Sequence, residues 1–187
     1  MKRAHWLYVA AFSLMTTPVF AEMTGNINGF LGQKSLDSDD WEPLDKQAEI
    51  GAMFDTRGTN WPISIAVDLL GSWDDTTING VDFTGTTMEL NIGARKVFDL
   101  TGSQLHPYVG GGLALIAAEI EGELGGFKVS DDDTGTGYWV GGGAYWRFAN
   151  NINLGLDVRY SKAEVDLFGA TGEAGGTHAG LLVGYHW

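Results

Sequence analysis

The sequence contains no cysteine and only 4 prolines. Without cysteine there is no disulfide scaffold, no thiolate nucleophile and no cysteine zinc site. Basic residues are scarce: 11 Lys and Arg stand against 24 Asp and Glu, for a formal net charge of −13. Nucleic-acid phosphates need a basic patch, so no nucleic-acid partner is expected. Helical periodicity is almost absent, and no stretch reaches the 18 apolar residues of a spanning helix. What abounds is glycine, 28 of 187 residues, about twice the usual share of roughly 7%. It follows no Gly-X-Y period, which excludes collagen. A hydrophobic fraction of 44% and an aromatic fraction of 12% exclude a disordered chain.

The first residues read as an address. Lys2 and Arg3 precede an apolar run over residues 6–15, and Val19-Phe20-Ala21 places small residues at −3 and −1 of a cleavage site. That is the pattern of a secretory signal peptide ending at Ala21. The alternative, a transmembrane anchor, needs about 20 apolar residues, and the run is too short. The expected organisation is a signal peptide over residues 1–21 and one domain over residues 22–187.

Beyond it the pattern is alternation, in runs of 8 to 15 residues broken by turn residues. One run carries Ile50, Ala52 and Phe54 on one face. Others carry Ile65, Val67, Leu69 and Trp73, or Met88, Leu90, Ile92 and Phe98. Further runs continue through Val109, Leu113 and Leu115, then Tyr138, Val140 and Trp146. The last two carry Leu154, Leu156, Val158 and Tyr160, then Leu181, Val183, Tyr185 and Trp187. Lys96 is the one charge on these apolar rows. A first strand lies around residues 25–35. Its phase is left open, with Ile27, Gly29 and Leu31 as its apolar face.

The opposite face is polar and rich in glycine. Period two does not say which face points inward, because a soluble barrel buries the apolar face and a membrane barrel turns it to lipid. Three features favour the second arrangement. Glycines beside Arg, Glu and Tyr suit a narrow lumen where inward side chains meet. Aromatics cluster at the ends of the apolar rows: Phe54, Phe98, Trp146, Phe148, Tyr185 and Trp187 at one end, Trp73, Tyr138 and Tyr160 at the other. Those are two interfacial girdles. Third, short connections (56–61, 99–105, 149–151) alternate with longer or more polar ones (36–46, 74–82, 119–135, 161–176). The longer segments hold 17 of the 24 acidic residues and only Lys46, Lys128 and Lys162 against them.

Residues 180–187, Gly-Leu-Leu-Val-Gly-Tyr-His-Trp, close such a chain. Together with the eight strands and the signal peptide they resemble the small bacterial outer-membrane β-barrels. Leu181, Val183, Tyr185 and terminal Trp187 resemble the signal recognised by the barrel-assembly machinery. His106-Pro-Tyr-Val-Gly-Gly-Gly resembles the fifth strand of the OmpA-like barrel superfamily. The segment 138–148 and Leu156-Asp-Val-Arg-Tyr resemble its next hairpin. The resemblance implies an eight-stranded antiparallel transmembrane β-barrel in the outer membrane, both termini at the periplasmic rim, porin-like in outline. It leaves no room for a peptidoglycan-binding domain.

Chemistry-bearing motifs are few. Asp133-Thr134-Gly135 matches an aspartic-protease triplet but has no second loop to complete a dyad. Asp131, Asp132 and Asp133 fail the EF-hand spacing. The triple glycines 110–112 and 141–143 precede no helix. No Ser lies two residues from His106, His178 or His186, so no catalytic residues, metal site or cofactor are expected. The candidate site is the inward charge cluster: Glu49, Asp55, Asp68, Glu89 and Asp157 facing Arg95, Arg147 and Arg159. Charges in a narrow barrel are costly unless paired. The leading expectation is a non-enzymatic barrel with a polar, plugged interior. Its acidic extracellular loops would meet lipopolysaccharide, divalent cations or a partner. The alternatives are a narrow channel for small or hydrophobic solutes, and a soluble lipocalin-like periplasmic barrel.

Overall fold

A computed structural model describes residues 23–187, the side chain of residue 124 excepted. The expected signal peptide, residues 1–21, lies outside the described residues. The chain forms β1 (Met23–Ser35), helix α1 (Ser38–Trp41), β2 (Lys46–Gly58), β3 (Ser64–Ile78), β4 (Val81–Val97), β5 (Leu105–Leu124) and β6 (Phe127–Arg147). It continues as β7 (Ile152–Lys162), β8 (Glu164–Leu167), β9 (Ala170–Glu173) and β10 (Gly176–His186). Eight strands close one antiparallel ring in the order β1-β10-β7-β6-β5-β4-β3-β2, and β8 and β9 form a separate small hairpin. Closure runs from Asn26 opposite His186 to Ser35 opposite Thr177. A closed ladder gives every spanning N–H and C=O a partner, which hydrocarbon demands.

The alternation fixes the facing. Ile50 and Phe54 are exposed on β2, while Glu49, Met53 and Asp55 are buried between them. The first strand obeys the same rule: Ile27 and Leu31 face out, and Asn26, Asn28, Phe30 and Lys34 face in. Both expected girdles are exposed on the outer wall, and Phe54 stacks on Trp187 with ring centroids 5.5 Å apart. Lys96 leans to the turn before β3 and donates to the Pro62 carbonyl, the behaviour of a cation near an interface.

Two expected connections are corrected. Segments 74–82 and 119–135 are continuous hairpins, not loops. β3 and β4 pair as far as Ile78 opposite Val81, and β5 and β6 pair to the last residue before their turn. Asn79-Gly80 and Gly125-Gly126 make the two-residue turns, all at positive φ, as such hairpins require. Past the girdles both strand faces meet water, so acidic and threonine residues replace the apolar row without ending the ladder. The irregular connections at that end are residues 36–45, with α1, and 163–175, with β8 and β9. We refer to this end as the hairpin rim and to the other, with both described chain ends, as the terminal rim.

Leu156 sits on β7 opposite Ala144 and Leu181, between Trp146 at one girdle and Tyr160 at the other. Leu156→Arg is expected to destabilise the folded barrel by about 2–4 kcal/mol in lipid vesicles. Lys96→Leu, near an interface, should change stability by about 0–1 kcal/mol. Equilibrium denaturant titration of both variants checks the pair.

Candidate functional site

Inward positions on four strands bring charges together in the middle of the barrel, and three more strands supply neutral neighbours. Arg95, from β4, donates to Asp55 of β2 at 3.3 Å and to Asp68 of β3 at 2.7 Å. Arg159, from β7, reaches the same Asp68 oxygen at 2.9 Å and Asp157 at 2.7 Å. Tyr108 of β5 donates its hydroxyl to the other Asp157 oxygen. Asn26 of β1 donates to Asp55 at 3.0 Å. The two guanidinium planes also lie near the Trp139 ring, 5.9 and 5.6 Å from its centroid. A planar fork with five donors can serve several carboxylates while stacking on an aromatic face, which lysine cannot do. Every one of these ionic side chains is at most 2% exposed.

A second layer lies toward the hairpin rim. Lys34 donates to Glu89 at 2.7 Å, to Thr87 at 2.9 Å and to the Ala174 carbonyl at 2.8 Å, using all three of its protons. Glu49 holds His178 Nδ1 at 2.8 Å, and His178 Nε2 meets Ser161 Oγ at 2.9 Å. Ser161–His178–Glu49 thus has the order of a hydrolytic triad. The serine proton, however, goes to Glu89 at 2.9 Å. Both imidazole nitrogens then face acceptors, which is a clamp between carboxylates rather than a general base beside a nucleophile. Ser161 is fully buried.

Arg147 departs from expectation. It pairs with no carboxylate among the described residues and donates instead to Asn26 at 3.0 Å, Tyr145 at 3.1 Å and Asn153 at 3.3 Å. It lies toward the terminal rim, beyond the reach of Asp55. A cavity of about 20 Å³ sits there among Asn26, Asp55, Arg147 and His186, room for about one water. At the mouth of the terminal rim, Arg57 and His106 hydrogen-bond Asp99 in the turn after β4. Burial pushes the Asp99 carboxyl up, and the hydrogen bonds from Arg57 and His106 outweigh it, leaving the pKa below its ordinary value.

Toward the hairpin rim the interior turns apolar. Ile116, Trp139 and Ala114 meet Leu36, Trp41, Val165 and Leu167 from the irregular connections. Trp41 donates its indole N–H to the Glu173 carbonyl at 2.7 Å. The hairpin β8–β9 is tied to β6 by side chains: Asp133 accepts from the Asp166 N–H at 2.8 Å and Asp131 from the Phe168 N–H. The interior glycines admit large neighbours. A Cβ on Gly180 would lie 2.7 Å from the Phe30 ring, and one on Gly143 would lie 2.7 Å from Tyr108 Oη.

Seven of the eight expected cluster residues are therefore joined in these two layers, and Arg147 is not. Sequence reasoning missed Lys34, because the phase of β1 was open, and Ser161, because its partner lies on another strand. Leu181, Val183 and Tyr185 stand exposed on β10, and Trp187 closes the ladder on Gly25 by backbone bonds of 3.1 and 3.2 Å. Among the described residues no group of three or more His, Asp or Glu is arranged to hold a metal ion.

The sequence model of the outer membrane protein beta-barrel domain matches residues 7–186. The match spans most of the chain, which belongs to this family and is a bacterial outer-membrane protein. No curated protein sequence matches it. Among solved structures, Neisserial surface protein A is 17% identical, with 89% of this chain and 96% of that chain covered and a TM-score of 0.52. The attachment invasion locus protein Ail of Yersinia pestis, in complex with the heparin analogue sucrose octasulfate, is 11% identical over 88% and 98%, with a TM-score of 0.57. OprG from Pseudomonas aeruginosa is 12% identical over 88% and 95%, with a TM-score of 0.53. These likenesses show the shared fold. The soluble lipocalin-like alternative is overturned by the family match and by the exposed apolar belt.

Removing one member of a buried ion pair strands the other, a loss of about 3–5 kcal/mol. Arg159→Met should therefore destabilise the barrel by about that much. Asp157→Asn added to it should restore more than half, because the new amide oxygen is neutral and still accepts from Tyr108. Denaturant titration of the single and double variants in one detergent checks this.

Proposed function

We propose that this member of the outer-membrane β-barrel family is a non-enzymatic surface component whose interior is plugged by its own side chains and whose acidic rim faces outward. The carrying observation is the division of charge. Inside, Arg95, Arg159 and Lys34 are spent on Asp55, Asp68, Asp157 and Glu89. At the hairpin rim 17 acidic residues meet three lysines, of which Lys128 bonds Glu121 and Glu123 and Lys162 bonds Glu173. Such a rim suits divalent cations shared with lipopolysaccharide phosphates, or a cationic partner. It does not suit a polyanion of the kind bound to Ail.

Residues 1–21 are the proposed signal peptide, so the mature protein begins at Glu22. Leu181, Val183, Tyr185 and Trp187 form the proposed recognition signal for the barrel-assembly machinery. One observation favours a second reading, a narrow channel for small or hydrophobic solutes. Asp68 Oδ1, Asn91 Oδ1, Arg95 Nε and Trp139 Nε1 are buried without a protein partner, and such atoms ordinarily take water.

The absence of cysteine makes orientation directly testable. Lys128→Cys, on the long β5–β6 hairpin, and Thr101→Cys, in the turn after β4, are both at exposed positions. A membrane-impermeant maleimide on intact cells is expected to label the first and spare the second. Labelling of Thr101→Cys alone would reverse the orientation.

A further inference from the structure

Phe168 and Gly169 form the turn of the β8–β9 hairpin, with φ of 52° and 79°. A two-residue turn with both residues at positive φ prefers Asn-Gly. The β3–β4 hairpin of this same chain supplies that pair, Asn79 and Gly80, at φ of 52° and 82°. Phenylalanine at the same φ crowds its Cβ against the backbone. Phe168 is also 57% exposed, so burial of its ring does not compensate. A strained, exposed aromatic is a reason to look at what it faces.

Phe168 lines a cavity of about 250 Å³ between α1 and the β8–β9 hairpin. The apolar lining comes from Trp41, Ile120, Val165 and Leu167. These belong to or pack on the buried apolar cluster of the hairpin rim, so the floor is fixed. The other wall carries Asp39 and Asp40. Asp40 gives one carboxylate oxygen to the Glu173 N–H at 2.8 Å. The Asp39 carboxylate makes no hydrogen bond or ion pair among the described residues. Neither carboxylate forms an ion pair with a Lys or Arg among the described residues, and Lys128 and Lys162 are held by Glu121, Glu123 and Glu173.

We propose that this cavity binds a small amphipathic organic cation, an ammonium head carrying one aromatic ring. The head sits at Asp39 and Asp40, where two carboxylates lack a cation. The ring lies between Phe168 and the Trp41 side of the floor, where aromatic faces attract both a ring and an adjacent positive charge. The volume falls just below the range of about 300–1,000 Å³ usual for drug-sized ligands, which limits the body to a single ring. The residue choice at position 168 then has a reason: the aromatic wall is kept at the expense of the turn.

The test uses the whole protein in lipid nanodiscs, with empty nanodiscs subtracting partition into lipid. Calorimetric titration with phenethylammonium is expected to give one saturable site. Phenylacetate, with the same ring and the opposite charge, should not bind. Phe168→Asn installs the residue the turn prefers, so its unfolding midpoint should stay or rise while affinity falls about tenfold or more. Asp39→Asn should weaken binding comparably and flatten its dependence on salt. Equal binding to wild type and Phe168→Asn would overturn the proposal, as would equal binding of phenylacetate or no saturation up to about 10 mM. Butylammonium binding as tightly as phenethylammonium would also overturn it, and would point to a lysine side chain of a partner protein.

Discussion

One oxygen of Asp68 accepts both Arg95 and Arg159, and much of the barrel's interior is arranged around that contact. Two guanidinium groups side by side repel each other and lose water on burial. They stand together only because Asp68 lies between them, with Asp55 and Asp157 on their outer flanks. The five residues tie β2, β3, β4 and β7 across the lumen, where the backbone ladder joins only neighbours. Tyr108 and Asn26 extend the ties to β5 and β1. This geometry follows from closure. Hydrocarbon forbids a free sheet edge, so the sheet closes. Eight strands close narrowly enough for opposite side chains to meet, and charges that meet in a low dielectric must pair.

The layers on either side have different characters. Toward the hairpin rim the Lys34–Glu89 pair and the Glu49–His178–Ser161 chain lead into an apolar cap that includes Trp41 and Trp139. Toward the terminal rim the partners are neutral amides around Arg147. The hairpin rim keeps its acids in water on extended hairpins, and some serve structure: Asp131 and Asp133 stand in for ladder carbonyls to dock the β8–β9 hairpin. Charge is therefore compensated where it is buried and left in excess where it is wet.

Much of this was legible in the sequence, for a definite reason. Period two groups Ile50, Leu156 and Val183 with the apolar face wherever lipid demands an unbroken apolar row, and the aromatic girdles and the glycines opposite mark that face as the outer one. Glycine beside Arg, Glu and Tyr on the other face signals a crowded lumen. What stayed hidden depends on registers that a single strand does not carry. Lys34 meets Glu89, and Ser161 meets His178, only when the ring is closed. Arg147 misses the cluster because it lies too near the terminal rim. Residues 74–82 and 119–135 look like loops because strands that leave the membrane lose the apolar row while keeping the ladder.

If paired interior charges fill and close the lumen, as we propose, the barrel should not conduct. Planar-bilayer conductance of the refolded protein, residues 22–187, tests this most directly, beside a variant carrying Arg95→Ala and Arg159→Ala together. Silence is expected from folded, inserted wild type, and discrete current steps once the two guanidinium groups are gone. Reproducible steps from the wild type, shifted in size by neutralising Arg95 or Arg159, would contradict the plugged lumen and make the charge network the lining of a pore.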